Sequence, residues 1–588
     1  MRIAVLLRDR CQPKRCNLEC IKFCPRVRMG DETVVMGDKG KPVISEQLCV
    51  GCGICVHKCP FDAIRIIGLP SELEGEIVHQ YHENGFRLYR LPTLVEGQVL
   101  GLLGPNGIGK TTALAILSGE VVPNLGRFER PGSWQEVIEH FSGTGLQRHF
   151  ERLASGKIRT ALKPQYVDKL PVVVKGKVRD LLGHVDDLGR LDEIAGQLHI
   201  LAILDRDVGK LSGGELQRIA IAATMLKDAG LYMFDEPSSY LDIHQRLNVA
   251  RAIKALAKER NVIVVEHDLA VLDFLADNVH LMYGSEGAYG VVAQPRPVRT
   301  AVNVYLEGYM REENVRFREQ EIRFEPRAPR GLLGTPVLIE YGSLHKRFAT
   351  FSLKAHPGKI HIGEVVGVVG PNATGKTTFV RILAGELHPT RGAPPTSVRV
   401  SYKPQYIKHD FDGTVRELLG TALGDGIPPA LNAEVMAPMD IQALIAKPVP
   451  HLSGGELQRV ATALCLSKDA DVYLIDEPSA YLDSNQRMET ARAIRRYMEK
   501  IKRSALIVDH DIYFLDLVAD SLLVFEGVPS KKGEAHGPYP MREGMNAFLR
   551  RIGITFRRDT DTKRPRINKE GSRLDREQKE RGEYYYSG

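Results

Sequence analysis

Leu211-Ser-Gly-Gly-Glu-Leu-Gln-Arg218 recurs letter for letter as Leu452-Ser-Gly-Gly-Glu-Leu-Gln-Arg459. In each copy a serine hydroxyl and two glycines precede a helical pattern, where bare amides and the positive end of a helix dipole converge. A single copy also reads as a serine N-cap opening an ordinary helix. Each copy, however, ends 17 residues before the aspartate of an Asp-Glu-Pro-Ser that closes an apolar run. That repetition favours anion recognition and divides the chain into two related halves.

Two phosphate loops support the division. Gly104-Pro-Asn-Gly-Ile-Gly-Lys-Thr-Thr112 and Gly370-Pro-Asn-Ala-Thr-Gly-Lys-Thr-Thr378 each follow a strand-like run and precede a helical one, the context that G-x4-G-K-[ST] requires. Gly104, Asn106, Gly107 and Gly109, with Gly370, Asn372 and Gly375, let main-chain amides close on phosphate. Lys110 and Lys376 are expected on the terminal phosphates, and Thr111 and Thr377 on magnesium, with Thr112 and Thr378 completing the loops. The acids that end the apolar runs divide the remaining work. Asp235 and Asp476 suit the magnesium shell, and Glu236 and Glu477 suit polarisation of the attacking water.

A chain of 588 residues exceeds one core and suggests three to five units. No apolar run approaches the roughly 18 residues that cross a bilayer, and no signal-peptide pattern opens the chain. A soluble, cytoplasmic, monomeric protein is expected. Residues 1–30 hold eight Lys/Arg against Asp9 and Glu19, which is +6 of the formal +7. This basic patch reads either as charge balance for buried thiolates or as a phosphate-binding surface of the kind RNA attracts.

Eight of the nine cysteines lie between Cys11 and Cys59. Cys49, Cys52, Cys55 and Cys59-Pro60 match the bacterial ferredoxin spacing, and Cys11, Cys16, Cys20 and Cys24-Pro25 form a looser second run. The ferredoxin crossover implies one [4Fe-4S] cluster on Cys49, Cys52, Cys55 and Cys24, and a second on Cys11, Cys16, Cys20 and Cys59. Zinc is the competing reading, but zinc sites usually present separated C-x2-C pairs, whereas both runs here end in Cys-Pro.

The twin loops, octapeptides and acidic pairs resemble ATP-binding cassette ATPase domains over roughly residues 75–294 and 335–535. The resemblance implies that Gln165 and Gln405 contact magnesium and water, and that His267 and His510 are switch histidines near the terminal phosphate. It also implies that Asp242 and Asp483 belong to loops coupling the halves, and that each octapeptide completes the other half's site. Thus Ser453, Gly454, Gly455 and Glu456 would serve the Lys110 site, and Ser212, Gly213, Gly214 and Glu215 the Lys376 site. Tyr81 with Phe86, and Tyr341 with Phe348, resemble the family's aromatic adenine platform. Glu215 and Glu456 stand where the wider family commonly has Gln.

Between the halves the offset falls from 266 at Gly104/Gly370 to 240 at Gln165/Gln405, so the first half carries 26 extra residues. Ser133-x-x-Glu136 and Thr144-x-x-Gln147 predict capping boxes opening a helix-loop-helix at about 130–158. Its apolar stripe is Trp134, Val137, Ile138, Phe141, Leu146, Phe150 and Leu153, and Arg148, Arg152, Lys157 and Arg159 lie on the polar side. Residues 295–334 and 536–588, rich in charge, are expected to be paired hinges rather than a disordered linker and tail, with arginines for rRNA phosphate or acidic partners. Their place after each cassette, behind a head at 1–74, completes the domain order.

Over its full length this order resembles the ATP-binding cassette subfamily E, the RNase L inhibitor or ribosome-recycling family. The expected fold is therefore α/β: two P-loop cassettes in tandem behind a ferredoxin-like α+β head. The resemblance implies two [4Fe-4S] clusters, ATP/ADP with Mg2+ at two composite sites, and ATPase activity that splits ribosomes. The implied partners are the small ribosomal subunit, through rRNA and protein, and a release-factor or rescue-factor type protein. The alternatives are an ATP-coupled iron-sulfur redox or assembly protein and a transporter-type ATPase subunit. The first lacks a visible electron-acceptor site; the second leaves the cysteine head without a role.

Overall fold

The computed structural model describes all residues except 1, 9, 38–39, 69–70, 166, 168–169, 319–320, 325–334, 394–397, 406–410, 425 and 586–588, and only the backbone at 71, 72 and 74. The distal part of the first expected hinge therefore lies outside the described residues. Two compact units emerge, one comprising residues 1–237, 251–266 and 275–319, the other 238–250, 267–274 and 320–588. Residues 238–250 and 267–274, which the sequence assigns to the first cassette, thus belong with the second unit.

In the first unit the cysteine-rich head pairs strand Arg2–Leu6 antiparallel with Ile64–Gly68, and Val34–Met36 with Pro42–Ile44. Each Cys-Pro step marks a helix boundary: Pro25 opens the short helix Pro25–Arg28 behind an extended Cys24, and Cys59 closes helix Ile54–Lys58. Proline suits a first helical position because its missing N–H would be unpaired there anyway.

The head is seated on the first cassette through both apolar and polar contacts. Ile3, Val5 and Ile67 bury against Ala288 and Tyr289. Asn84 Nδ2 donates to the Ala4 carbonyl at 3.0 Å, and its Oδ1 accepts from the Leu6 amide at 3.2 Å. Glu46 accepts from the Asn84 amide at 2.9 Å and pairs with Arg87.

The first cassette is an eight-stranded sheet ordered 77–80, 87–89, 289–297, 278–285, 99–103, 261–265, 231–235, 160–163. Strands Val99–Leu103, Asn261–Val265, Leu231–Asp235 and Thr160–Lys163 are parallel neighbours, and the first and third of these are wholly buried. Continuous apolar runs such as Leu-Tyr-Met-Phe are what a parallel strand covered on both faces requires. The second unit repeats this order with 344–347, 352–355, 532–540, 521–528, 365–369, 504–508, 472–476 and 400–403.

The insertion forms helices Trp134–His140 and Gly145–Ala154, but neither capping box closes. Thr144 Oγ1 instead donates to the Phe141 carbonyl, and Glu136 pairs with Arg127 and Arg130. Those arginines hold Glu136 away from its own helix end. The predicted stripe is real and faces inward: Val137, Phe141, Leu146 and Phe150 join the cassette core, with Trp134, Ile138 and Leu153 packed against it. Arg148, Arg152, Lys157 and Arg159 remain exposed.

The segments after each cassette are ordered where described. Helices Val298–Glu307 and Met541–Ile552 each follow a strand ending in proline. In the second unit Arg564, fully buried, donates to Tyr513 Oη at 2.7 Å and to Asp273 at 3.1 Å, and Arg566 binds both oxygens of Asp273. Arg558 and Tyr585 converge on Asp516. Aspartates rather than solvent thus receive these arginines, and Tyr585 is a core residue; Tyr586 lies outside the described residues.

Asn84 tests the seating of the head. Asn84→Ala leaves the Ala4 carbonyl and Leu6 amide without their partner, a cost of about 1–3 kcal/mol. It also puts alanine at a left-handed φ of 53°, a conformation that asparagine adopts more readily. Hydrogen exchange is expected to accelerate at Arg2–Leu6 while Val99–Leu103 keeps its protection; unchanged exchange in both would show that the docking does not depend on Asn84.

Candidate functional site

The first phosphate loop runs directly from buried strand Val99–Leu103 into helix Lys110–Ser118. Gly109 has φ +90°, and a β-carbon there would lie 2.5 Å from Phe86. Its twin Gly375 has φ +94°, and a β-carbon there would lie 2.9 Å from Phe351. The loops differ two residues earlier, where Gly107 (φ 73°) is matched by Ala373 (φ 58°), a conformation that alanine adopts only at some cost. Lys110 Nζ is held by the carbonyls of Gly104 and Pro105, with Asn106 Oδ1 at 3.4 Å, and Lys376 Nζ by those of Gly370 and Pro371. The loop backbone therefore fixes each ammonium. Thr112 and Thr378 follow in the same helices.

Both acidic pairs end their strands beside these loops. Thr111 Oγ1 donates to Asp235 Oδ2 at 3.3 Å, and Thr377 Oγ1 to Asp476 Oδ2 at 2.8 Å. Gln165 Nε2 donates to Glu236 Oε1 at 2.6 Å, and Gln405 Nε2 to Glu477 Oε1 at 2.7 Å. Glu236 and Glu477 both sit at left-handed φ, 49° and 48°. Such strain at a non-glycine residue is tolerated where the surroundings over-determine the backbone.

Burial dominates the electrostatics. It pushes Asp235 up to about 6, with Glu236 adding to the effect, and Glu477 up to about 7, with Asp476 adding. It pushes Lys376 down to about 8 against the pull of Asp242 and the acidic pair. His510 is driven well below its ordinary value by burial and then by Lys376, so a neutral imidazole stands 3.7 Å from Glu477 Oε1.

The residues fit a magnesium ion. Asp476 is buried, its Oδ2 accepts from Thr377, and its Oδ1 has no hydrogen-bond partner among the described residues. A buried carboxylate oxygen left unpaired is costly unless a cation meets it.

Both octapeptides are helix starts closed by full capping boxes. Ser212 and Ser453 cap helices Gly213–Met225 and Gly454–Ser467, while Glu215 and Glu456 each accept from the serine amide at 2.8 Å. The structure also accounts for Glu where the wider family has Gln. Glu215 pairs with Arg206 at 3.3 Å and Glu456 with Lys447 at 2.6 Å, ion pairs that a neutral amide would lose. Gly214 and Gly455 sit within these first turns.

Residues 238–250 carry the first coupling loop into the second unit. There Asp242 Oδ1 caps the following helix through the Gln245 amide, and its Oδ2 accepts from the Asn372 amide at 2.9 Å. Tyr240 and Tyr481 meet edge to face with centroids 6.1 Å apart. Asp483 caps helix Ser484–Ile501, and Ser484 Oγ donates to the His267 carbonyl at 2.7 Å.

The aromatic expectation divides. Tyr81 is half exposed and shares a hydrogen bond with Thr112 Oγ1 at 3.2 Å, and Phe86 lies under Gly109. Tyr341 corrects the reading: it is 2% exposed, edge-on to Phe379 inside the second core, with no face left for a base. Phe351 occupies the place under the loop that Phe86 holds in the first half, and the exposed Phe348 lies beside it with ring centroids 6.3 Å apart. The spacing carried the signal, since Phe86 lies 23 residues before Gly109, and Phe351, 24 before Gly375, matches it more nearly than Phe348, 27 before.

Two pairs that touch the acids were not singled out in the sequence. Lys163 and Lys403, both fully buried, donate to the carbonyls of Asp235 and Asp476 at 2.9 and 2.7 Å. Gln217 Nε2 donates to the Glu236 carbonyl at 2.7 Å, and Gln458 does the same to Glu477. Their signal was available, since the lysines open the repeated Lys-Pro-Gln and the glutamines are the seventh octapeptide letter.

In the head, one cavity is lined by Cys24, Cys49, Cys52 and Cys55, and another by Cys11, Cys16, Cys20 and Cys59. These are the two crossed quartets. Burial and neighbouring thiols push Cys20 up to about 11 and Cys55 up to about 12. Four crowded thiolates need a cationic centre to ionise, so the donor set fits iron-sulfur clusters. Amides of Ala4 and Ala63 point at Cys49 and Cys59 sulfurs at 3.4 Å each, the hydrogen bonding that tunes such clusters.

Sheet order, loops and acidic pairs define an ATP-hydrolysing twin-cassette protein with an iron-sulfur head. A family model described as ABC transporter matches residues 92–239 and 353–480. Models for a possible Fer4-like domain in RNase L inhibitor, RLI, and for a 4Fe-4S binding domain match residues 1–32 and 42–65. An uncharacterized ABC transporter ATP-binding protein of Methanocaldococcus jannaschii is 51% identical over 590 residues, covering all of this chain and 98% of the relative. Among solved structures, a model of ribosome-bound archaeal Pelota and ABCE1 aligns with TM-score 0.94 at 52% identity, over 100% and 99% of the two chains. A crystal structure of archaeal ribosomal stalk protein aP1 with the archaeal ribosome recycling factor aABCE1 aligns at TM-score 0.83 and 53% identity, over 88% and 100%. The chain belongs to the ABCE1, or RNase L inhibitor, family of ATP-binding cassette proteins. It is an ATPase with [4Fe-4S] clusters, and among the described residues no helix is long and apolar enough to cross a membrane.

Glu477 gives a pH test of the buried acid. Its folded value near 7 exceeds the ordinary 4.5, so the folded state holds the proton more tightly, and this stabilisation is lost as pH rises from 4.5 through 7. Glu477→Gln needs no proton. It is expected to raise the melting temperature above that of the native protein at pH 8 and to change it little at pH 5; equal shifts at both pH values would contradict the burial account.

Proposed function

We propose that this protein is a cytoplasmic, monomeric ribosome recycling factor, which uses ATP-driven closure of its two cassettes to separate ribosomal subunits. The observation that carries the reading is the full-length likeness to an ABCE1 described as ribosome-bound together with Pelota. The partners that follow are the small ribosomal subunit, through rRNA and protein, and a release-factor or rescue-factor type protein. A transporter reading leaves the seated head, with its two thiol quartets, without a role, and a redox reading needs an electron-acceptor site that the sequence does not offer.

The chain's own residues supply the steps. Lys110 and Lys376 hold the terminal phosphates. Thr111 with Asp235, and Thr377 with Asp476, hold magnesium. Glu236 and Glu477, each oriented by its glutamine, polarise the attacking water, and His267 and His510 steady the departing phosphate. Ser453 and Gly455 complete the Lys110 site, and Ser212 and Gly214 the Lys376 site, so ATP bridges the halves and hydrolysis releases them. Nearly complete switching requires ATP to favour the closed state by roughly 5 kcal/mol. Cys49, Cys52, Cys55 and Cys24 hold one cluster, and Cys11, Cys16, Cys20 and Cys59 the other. When bound, the clusters cross-link the two cysteine runs, which stiffens the head as a lever.

Sedimentation of post-termination ribosomes with the protein, ATP and a release factor tests the proposal. Subunits are expected to separate with the native protein. Glu236→Gln and Glu477→Gln should trap ATP with unequal turnover, because only the first cassette carries the insertion and head. Ribosomes that stay joined would overturn the function, and identical kinetics of the two variants would overturn the asymmetry.

A further inference from the structure

Outside the ATP sites and the head, one group of metal-ligating side chains stands together in the second unit. His356 follows strand Ser352–Ala355, and Glu534 and His536 lie on strand Lys532–Pro540. One ligand atom from each lies within 4.8 Å of the others. Glu534 Oε2 is 3.7 Å from both His356 Nε2 and His536 Nε2. Neither imidazole nitrogen has a hydrogen-bond partner among the described residues, although both are buried atoms. His536 Nε2 also comes within 2.7 Å of Glu526 Oε1, yet that approach lacks hydrogen-bond geometry.

The surroundings orient the two acids outward-in. Lys532 Nζ takes the other oxygen of Glu534 at 2.6 Å, and Arg551, from helix Met541–Ile552, takes the other oxygen of Glu526. Ligating carboxylates are typically fixed in this way by partners on their far side. Glu526 and Glu534 are direct cross-strand neighbours, a like-charge pair that Lys532 and Arg551 offset.

The fold does not demand these residues. Gly290 and Gly533 mark equivalent points, since a β-carbon at either would lie 1.9 Å from a phosphate-loop carbonyl. Register from those glycines matches Glu534 to Val291, His536 to Ala293 and His356 to Leu91, all buried in the first cassette. Apolar side chains satisfy the same positions there.

We propose that His356, Glu534 and His536 form a binding site for a zinc-class divalent transition-metal ion. Ligands at 2.0–2.1 Å in a tetrahedron lie about 3.3–3.4 Å apart, so the 3.7 Å separations close by a few tenths of an ångström. The imidazoles stand 4.4 Å apart and 21° from parallel, and rotation about χ2, a broad torsion, opens that angle towards a shared ion. The ion would tie strand Ser352–Ala355 to the hairpin that leads into helix Met541–Ile552.

The test titrates zinc chloride alone into the full-length protein, prepared anaerobically with its clusters intact and freed of loosely bound metal by a mild chelator. Calorimetry, retained zinc and zinc-edge X-ray absorption are read together. The native protein should take up one zinc with nitrogen and oxygen ligands only. His356→Asn/His536→Asn should weaken uptake at least tenfold with iron content and ATPase unchanged. A triple variant carrying the first-cassette residues, His356→Leu/Glu534→Val/His536→Ala, should fold, hydrolyse ATP and take up none. Equal uptake by native and variant proteins, sulfur in the zinc shell, or no uptake with only a pH-dependent change in melting temperature would each overturn the site. The last result would mean protonated histidines paired with the acids.

Discussion

Two carboxylates and two ammonium groups share a buried space at the end of one strand, and the arrangement occurs in both cassettes. Asp235 and Glu236 face Lys110 and Lys163; Asp476 and Glu477 face Lys376 and Lys403. Isolated ions would not survive there, because the penalty of leaving water is several kcal/mol each. Numerical balance of charge permits the burial, and incomplete hydrogen bonding of Asp476 keeps a place for a divalent ion. The raised carboxyls of Asp235, Asp476 and Glu477 and the lowered Lys163, Lys376 and Lys403 are the signature of that compromise, and sites that perform chemistry are where such shifts gather.

The octapeptide is tied to this charge cluster through its own chain. Gln217 and Gln458 sit one turn beyond the capping boxes and hold the carbonyls of Glu236 and Glu477. Each serine-glycine start is therefore tethered to the acid of its own cassette, while the resemblance gives it to the phosphate of the other. A nucleotide gripped by Ser453 would thus pull on the backbone of Glu477. Asp242 extends the same logic, since it caps its own helix and also accepts from the Asn372 amide of the second phosphate loop.

Much of this was legible in the sequence because repetition removes coincidence. The loops, acidic pairs, glutamines and octapeptides appear twice, and the structure places Thr111 on Asp235 and Gln165 on Glu236 as it places their twins. The two cysteine runs were readable from Cys-Pro spacing, and their crossing into quartets was implied by the likeness to ferredoxins. What escaped was decided by tertiary competition. Ser133 and Thr144 open helices without closing capping boxes because Arg127 and Arg130 draw Glu136 away and Thr144 turns back to Phe141. Tyr341 looked like a platform and is core, since spacing alone does not say which face of a strand meets the sheet. Lys163, Lys403 and the octapeptide glutamines act on backbone carbonyls, a role that side-chain chemistry does not advertise. Of the two partners expected for the terminal arginines, rRNA phosphate or acidic side chains, Arg558, Arg564 and Arg566 take the acidic ones, at Asp516, Asp273 and Asp559.

The central claim is that each octapeptide completes the site of the opposite cassette. Retention of radiolabelled ATP by a Glu236→Gln/Lys376→Ala protein, in which only the Lys110 site holds nucleotide, tests it most directly. Adding Ser453→Arg is predicted to abolish retention, whereas adding Ser212→Arg is predicted to leave it intact. Retention that survives Ser453→Arg, or that is lost with Ser212→Arg instead, would contradict the account.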